Sequence, residues 1–183
     1  MLSNKKSNTR RIALFSILVA VSTSLQVVKP FPFVEFTSLL AFSTGIVFGS
    51  LFGASLGAIV MFVNAFLSPW GLAGLNMPFQ MVGMSIIGAV GGFYKMENYS
   101  HARFFAESAV LGAFLTLIYY LITNLGFAFY TALFLSRISI LEALALVQVT
   151  GAVYTLIYIV SNTFLFGAGA VPLVNAMRKL LGR

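Results

Sequence analysis

The feature that most constrains this chain is where charge is missing. No Asp, Glu, Lys or Arg occurs between Glu35 and Lys95, and none between Glu107 and Arg137. A soluble domain of 183 residues containing such segments would keep too little polar surface to face water. The composition agrees: 60% of residues are hydrophobic, 8% are charged, and the mean hydropathy is +0.99. These values describe an integral membrane protein. The apolar segments are long enough for helices and lack the alternating polar face that a barrel lumen needs. The expected fold class is therefore an all-α membrane bundle, one membrane domain spanning 1–183.

Charge also counts the spans. The first runs over about 12–28, with Lys5, Lys6, Arg10 and Arg11 before it, and with Pro30 and Pro32 ending it. A secretory signal would start the same way, but no small-residue cleavage site precedes the Lys29-Pro30-Phe31-Pro32 turn, so this segment reads as a retained helix. The stretch 36–67 admits either one tilted span or two short helices, 37–51 and 53–67, folded near Gly49 and Gly53. Three more spans follow at about 77–94, 104–133 and 143–174. With two helices in 36–67 the chain crosses six times. A cytoplasmic N-terminus then leaves Lys5, Lys6, Arg10, Arg11, Lys95, Arg103, Arg178, Lys179 and Arg183 inside and only Lys29 and Arg137 outside, nine against two. A single span there would give five against six, so the positive-inside rule selects six helices with both termini cytoplasmic.

The same clustering explains the net charge of +7 and the pI near 10.0 without a nucleic-acid partner. The chemistry of catalysis is missing. There is no cysteine, one histidine (His101, in the inner loop), and no P-loop, GxSxG or HExxH pattern. All four acids are glutamates, Glu35, Glu97, Glu107 and Glu142, and none lies at mid-membrane. We therefore expect no enzyme activity, metal or cofactor. A proton relay or ion-coupled carrier is disfavoured, and no internal repeat marks an autonomous secondary transporter. Any nucleotide-driven energy source would have to come from another chain.

Two small-residue ladders stand out. Ala41, Gly45, Gly49, Gly53 and Gly57 recur every four residues, and Ser16, Ala20 and Ser24 repeat the spacing on the first helix. Small residues four apart let helix backbones approach closely in lipid. The glycine ladder reads mainly as internal packing. The first-helix stripe fits either packing or contact with a membrane partner.

Polar and aromatic residues gather toward the outer half. Asn64, Ser68, Trp70, Asn76 and Gln80 surround the second outer loop; span five adds Tyr119, Tyr120, Asn124 and Tyr130, and span six adds Gln148, Tyr154 and Tyr158. Trp and Tyr also form interfacial belts, but carboxamides in a low-dielectric setting must find partners, either one another or a ligand. Asn162 lies deeper and is expected to bond across helices. Aromatic walls with a few placed amides suit a pocket for a flat organic molecule. Lacking buried charge, it favours a neutral or weakly charged ring over a phosphorylated one.

With these features in place, the chain resembles the substrate-binding S components of energy-coupling factor (ECF) vitamin transporters of bacteria and archaea. The resemblance is carried by the basic N-terminus running through Arg10-Arg11-Ile12-Ala13-Leu14-Phe15-Ser16-Ile17-Leu18-Val19-Ala20, by the segment from Leu39-Leu40-Ala41 through Gly45, Phe48-Gly49 and Gly53 to Gly57, by size, and by six spans with both ends inside. It implies a multi-pass cell-membrane protein that captures a vitamin-like micronutrient near the outer face. The capturing subunit pairs with a transmembrane coupling subunit and two cytoplasmic ATPases. The family's alanine, three residues, alanine motif on the first helix is matched by Ser16 and Ala20 with Ala13 one turn earlier, which implies a docking face. The serine departs from the pattern. The first outer loop, 29–35, gains a lid role, with Phe31 and Phe33 over the ligand and Lys29 or Glu35 pairing with its polar groups. The expected substrate-binding set is Phe31, Phe33, Glu35, Asn64, Trp70, Asn76, Gln80, Tyr120, Asn124, Gln148 and Tyr154. The rival reading is a multi-span scaffold similar to cell-shape-determining membrane proteins, which needs interfaces but no polar pocket.

Overall fold

Among the described residues, the charge-free segments are helical except at short breaks. The computed structural model describes residues 2–28, 33–68, 73–94, 100–135 and 138–182. Helix α1 spans Leu2–Val28, α2 Phe36–Phe48, α3 Ser50–Leu67, α4 Met77–Phe93, α5 His101–Tyr130 and α6 Ile140–Leu180. A 3-10 turn, Gly74–Asn76, leads into α4, and a π-helical turn, Thr131–Leu135, extends α5. No strand occurs among the described residues. Four helices are long and apolar enough to cross a bilayer: α1 over Asn8–Val28, α3, α5 with its π-turn over Ala102–Leu135, and α6. The chain is thus an all-helical membrane protein. Helix α2 has 13 residues, a rise of about 20 Å, short of a hydrocarbon core about 30 Å thick.

The breaks fall where the backbone is told to stop. Gly49 separates α2 from α3 at φ +104°, a left-handed conformation that side chains resist. Ser100 caps α5, its Oγ accepting from Arg103 N at 3.3 Å. The residues around Glu142, expected in a loop, instead begin α6. There Ser139 Oγ accepts from Glu142 N at 3.3 Å while Glu142 Oε2 accepts from Ser139 N at 2.9 Å, a reciprocal capping box.

Helix α2 is the centre of the bundle, buried on nearly every face and touching α1, α3, α4 and α6. Phe42 meets Phe166 of α6 at 5.2 Å between ring centroids, and Leu56, Met61, Met84, Ile87 and Leu115 fill the surrounding core. The glycine ladder does pack internally, against a second set of glycines on α4. A Cβ on Gly45 would lie 2.1 Å from Gly88 O, one on Gly53 2.2 Å from Gly88 O, and one on Gly57 2.5 Å from Met84 O. From the other side, a Cβ on Gly91 would lie 2.0 Å from Phe42 O and one on Gly92 2.1 Å from Ser50 N. Backbone therefore touches backbone along α4 on two neighbours at once.

Helix α1 lies at the periphery and is fixed near both ends. Arg11 Nη2 donates to Phe48 O at 3.4 Å, and its guanidinium lies 5.9 Å and 5.6 Å from the Phe48 and Phe52 ring centroids. At the other end Thr37 Oγ1 donates to Gln26 Oε1 at 3.0 Å. Leu18, Ser22 and Gln26 face the bundle, whereas Ala13, Ser16, Ala20 and Ser24 are exposed. The Ser16 and Ser24 hydroxyls bond back to Ile12 O and Ala20 O at 3.0 Å and 2.9 Å, so the stripe presents a smooth, self-satisfied surface and does not pack the bundle.

The glycine contacts predict a graded loss of stability. Gly88→Ala should lower stability by more than about 2 kcal/mol, because its Cβ would lie 2.0 Å from Gly53 O and the α3 backbone must move away from α4. Gly49→Ala meets no atom within 4 Å and should cost about 1–3 kcal/mol, from its dihedral alone. Thermal unfolding of the purified variants in detergent measures both.

Candidate functional site

The tight backbone contact of α4 with α3 runs from Ser50 and Gly92 to Gly57 and Met84. Beyond it, toward the other pole, the helices leave a cavity of about 360 Å³. Gln26 comes from the end of α1, Glu35 from the segment before α2, and Asn64 and Ser68 from the end of α3. Ala73, Gly74 and Asn76 come from the 3-10 turn, Gln80 from the first turn of α4, and Tyr119, Tyr120, Thr123, Phe127 and Tyr130 from α5. The fold thus gathers residues more than 100 positions apart at one pole.

Three of its lining residues also bury polar atoms: Asn64 Oδ1, Asn76 Oδ1 and Nδ2, and Gln80 Oε1 are closed off from the open space and have no hydrogen-bond partner among the described residues. Asn76 is 2% exposed and packed so closely that a Cβ on Gly126 would lie 2.3 Å from its Oδ1. An unpaired buried carboxamide atom costs about 1–3 kcal/mol, so a group that bonds it gains correspondingly. The hydroxyl protons nearby are already used: Tyr119 Oη donates to Met61 Sδ at 3.7 Å, and Thr123 Oγ1 to Tyr119 O at 3.0 Å. Among the described residues, Glu35, 6% exposed, is the only charged one lining the cavity.

A ladder of rings connects this wall to the first loop. The ring centroids of Tyr120 and Tyr158 lie 5.0 Å apart. Phe33 lies 5.9 Å from Tyr158 and 6.2 Å from Tyr154, stacked on the latter. Phe33 sits at φ +64°, a left-handed conformation unusual for a side chain of its size. The ring contacts hold it there, two residues before Glu35.

Five of the expected residues, Glu35, Asn64, Asn76, Gln80 and Tyr120, come together around the cavity. Phe33 stands behind Tyr120 through Tyr158 and does not line it. Asn124 and Gln148 bond each other instead, Asn124 Nδ2 donating to Gln148 Oε1 at 2.8 Å. Asn124 and Tyr154 border a separate shallow groove between α5 and α6. Phe31 and Trp70, like Lys29, lie outside the described residues. Gln26, Thr123, Phe127, Ala73 and Gly74 were not anticipated, and Ser68, Tyr119 and Tyr130 were noted near the site without being placed in it. Asn162 bonds across helices as expected, its Nδ2 donating to Thr116 Oγ1 at 2.8 Å.

Among the described residues, no group of three or more His, Asp or Glu comes together that could hold a metal ion. What the arrangement supplies is recognition: aromatic faces for stacking and fixed carboxamides for directional bonds. The chain matches no family model, no curated protein and no solved structure.

Because Asn124 and Gln148 satisfy each other, they should couple. A double-mutant cycle of Asn124→Ala and Gln148→Ala should give an interaction of about 0.6–1.7 kcal/mol in thermal or denaturant unfolding. Additive effects would place both groups with other partners.

Proposed function

We propose that this chain is the substrate-capture subunit of an ECF-type importer, a six-span protein with both ends in the cytoplasm that binds a vitamin-like micronutrient from outside. The observation that carries the proposal is the cavity at one pole, walled by aromatics and by the carboxamide residues Asn64, Asn76 and Gln80, four of whose buried polar atoms have no partner among the described residues. A scaffold has no use for such groups, since burying them lowers its own stability.

The charge distribution supports the orientation. Arg11 sits against the α2–α3 turn, at the pole opposite the cavity, and a Cβ on Gly182 would lie 3.9 Å from Arg10 Nη1, so the two ends of the described chain meet there. Basic residues at that pole support a cytoplasmic position for it and an exterior one for the cavity. Helices α2 and α4 are then the short spans; α2 is shielded from lipid by its neighbours, whereas α4 keeps an outer side with Val82 and Phe93 exposed. The exposed stripe Ala13, Ser16 and Ala20 is the face on which a transmembrane coupling subunit docks, and two cytoplasmic ATPases drive the cycle. The protein itself binds without a cofactor and performs no catalysis.

A thermal-shift screen of vitamins against the purified protein tests this directly. One compound should bind one-to-one without ATP. At a hundredfold excess over Kd it should contribute about 2.7 kcal/mol, a rise of roughly 5–10 °C in Tm. A well-folded sample that no compound stabilises would favour the scaffold. Ser16→Leu and Ala20→Leu should abolish uptake in cells while leaving ligand binding and Tm unchanged. Loss of binding together with uptake would mean that the stripe supports the bundle after all.

A further inference from the structure

Helices α5 and α6 pack tightly over one half of their length and stand apart over the other. In the half away from the cavity, a Cβ on Gly112 would lie 2.7 Å from Phe166 Cβ, and one on Gly167 3.1 Å from Phe105 Cζ. In the half that carries the cavity, a Cβ on Gly151 would meet only Asn124 Nδ2, at 3.8 Å, an ordinary contact. The Asn124–Gln148 bond spans the helices there, and beside it lies a groove of about 410 Å³. The groove falls within the stretches of α5 and α6 that are apolar enough to cross a bilayer, so in a membrane it faces lipid. Phe127 belongs to both spaces: it lines the cavity and it borders the groove, so its ring stands between the two. That ring is 48% exposed, and an exposed side chain changes rotamer within picoseconds to nanoseconds, with no change of backbone. Tyr154, also on the groove, stacks on Phe33, two residues before Glu35 of the cavity wall.

We propose, resting on the capture reading above, that the cavity is entered sideways from the outer leaflet, between α5 and α6, with Phe127 as the gate. The substrate is then an uncharged amphiphilic ring compound that partitions into the bilayer. The groove's chemistry sets that class. Among the described residues, none that borders it is charged; hydroxyls of Thr131, Thr150 and Tyr154 lie among Phe127, Val147 and Gly151. A neutral molecule with one polar end suits such a surface, whereas an ion would lose its hydration there with no opposite charge to replace it.

Labelling of a cavity thiol reads this entry directly. Thr123 is buried, lines the cavity and does not border the groove, so Thr123→Cys in this cysteine-free chain reports arrival in the cavity. The purified protein in lipid nanodiscs is treated with N-phenylmaleimide, which is neutral and enters the bilayer, or with N-(4-carboxyphenyl)maleimide, the same ring carrying a carboxylate. Each rate is normalised to that reagent's rate with glutathione. N-Phenylmaleimide should modify the thiol about 10-fold faster or more. Thr150→Phe and Gly151→Phe, which fill the groove from α6, should each slow it about 10-fold at unchanged Tm, and Phe127→Ala should speed it up. Gln26→Cys repeats the test should Thr123→Cys fold poorly. Groove-filling variants that leave the rate unchanged, or failure of N-phenylmaleimide to modify either cysteine, would overturn side entry and leave the capture reading to its vitamin screen. A carboxylate reagent that arrives as fast as the neutral one would overturn the uncharged class. Neutral labelling slowed by the groove variants, in a protein that no vitamin stabilises, would keep the route and overturn the capture reading.

Discussion

Three helices of this protein meet backbone to backbone, and the rest of the structure depends on that contact. At Gly45, Gly53, Gly57, Gly88, Gly91 and Gly92 there is no room for even one added carbon. In lipid, where burial of apolar side chains does not drive helix association, such approach is a main source of attraction. It places α4 against α2 and α3 together and leaves α2 in the centre with its side chains buried. The close contact stops near Gly57 and Met84. Past that point the same helices carry Asn64 and Gln80, and the space between them is the cavity.

Polar groups within the bundle fall into two kinds. Some are structural and closed. Asn124 bonds Gln148, and Ser108 Oγ donates to Phe104 O at 2.7 Å with Phe166 O of α6 at 3.2 Å. Others are open. Of the eight buried side-chain atoms without a partner among the described residues, four lie on Asn64, Asn76 and Gln80, all on the cavity wall. A membrane protein gains little from leaving such atoms bare in a low-dielectric interior. Their concentration in the residues around one cavity gives the capture proposal its physical basis.

The helices were legible because charge vacancy and turn residues mark them independently. Gly49 divided 36–67 as the charge count required, and α3 and α4 begin or end within a few residues of expectation. The ends of α5 and α6 were less legible. Ser139 and Glu142 look like loop residues until their reciprocal bonds make them a cap. The cavity was legible in part: Asn64, Asn76 and Gln80 are conspicuous as amides in apolar surroundings. Gln26 and Thr123 were hidden, since a lone polar residue on a long helix does not reveal which way it faces. Asn124 and Gln148 carried the same signal as the true wall residues and turned out to satisfy each other. The glycines of α4 repeat the message of the α2–α3 ladder, but one sequence does not say which ladders meet. The exposed side of α1 is similar: spacing alone left packing and docking open, and the inward turn of Leu18, Ser22 and Gln26 decides which face is free.

The chain contains no cysteine, so a single introduced one reports its own surroundings. Ala73→Cys places a thiol on the cavity wall and Ser100→Cys one at the opposite pole, before α5. A membrane-impermeant maleimide applied to intact cells should label Ala73→Cys and spare Ser100→Cys until the cells are opened. Labelling of Ser100→Cys alone from outside would turn the cavity toward the cytoplasm and contradict the account of capture from the exterior.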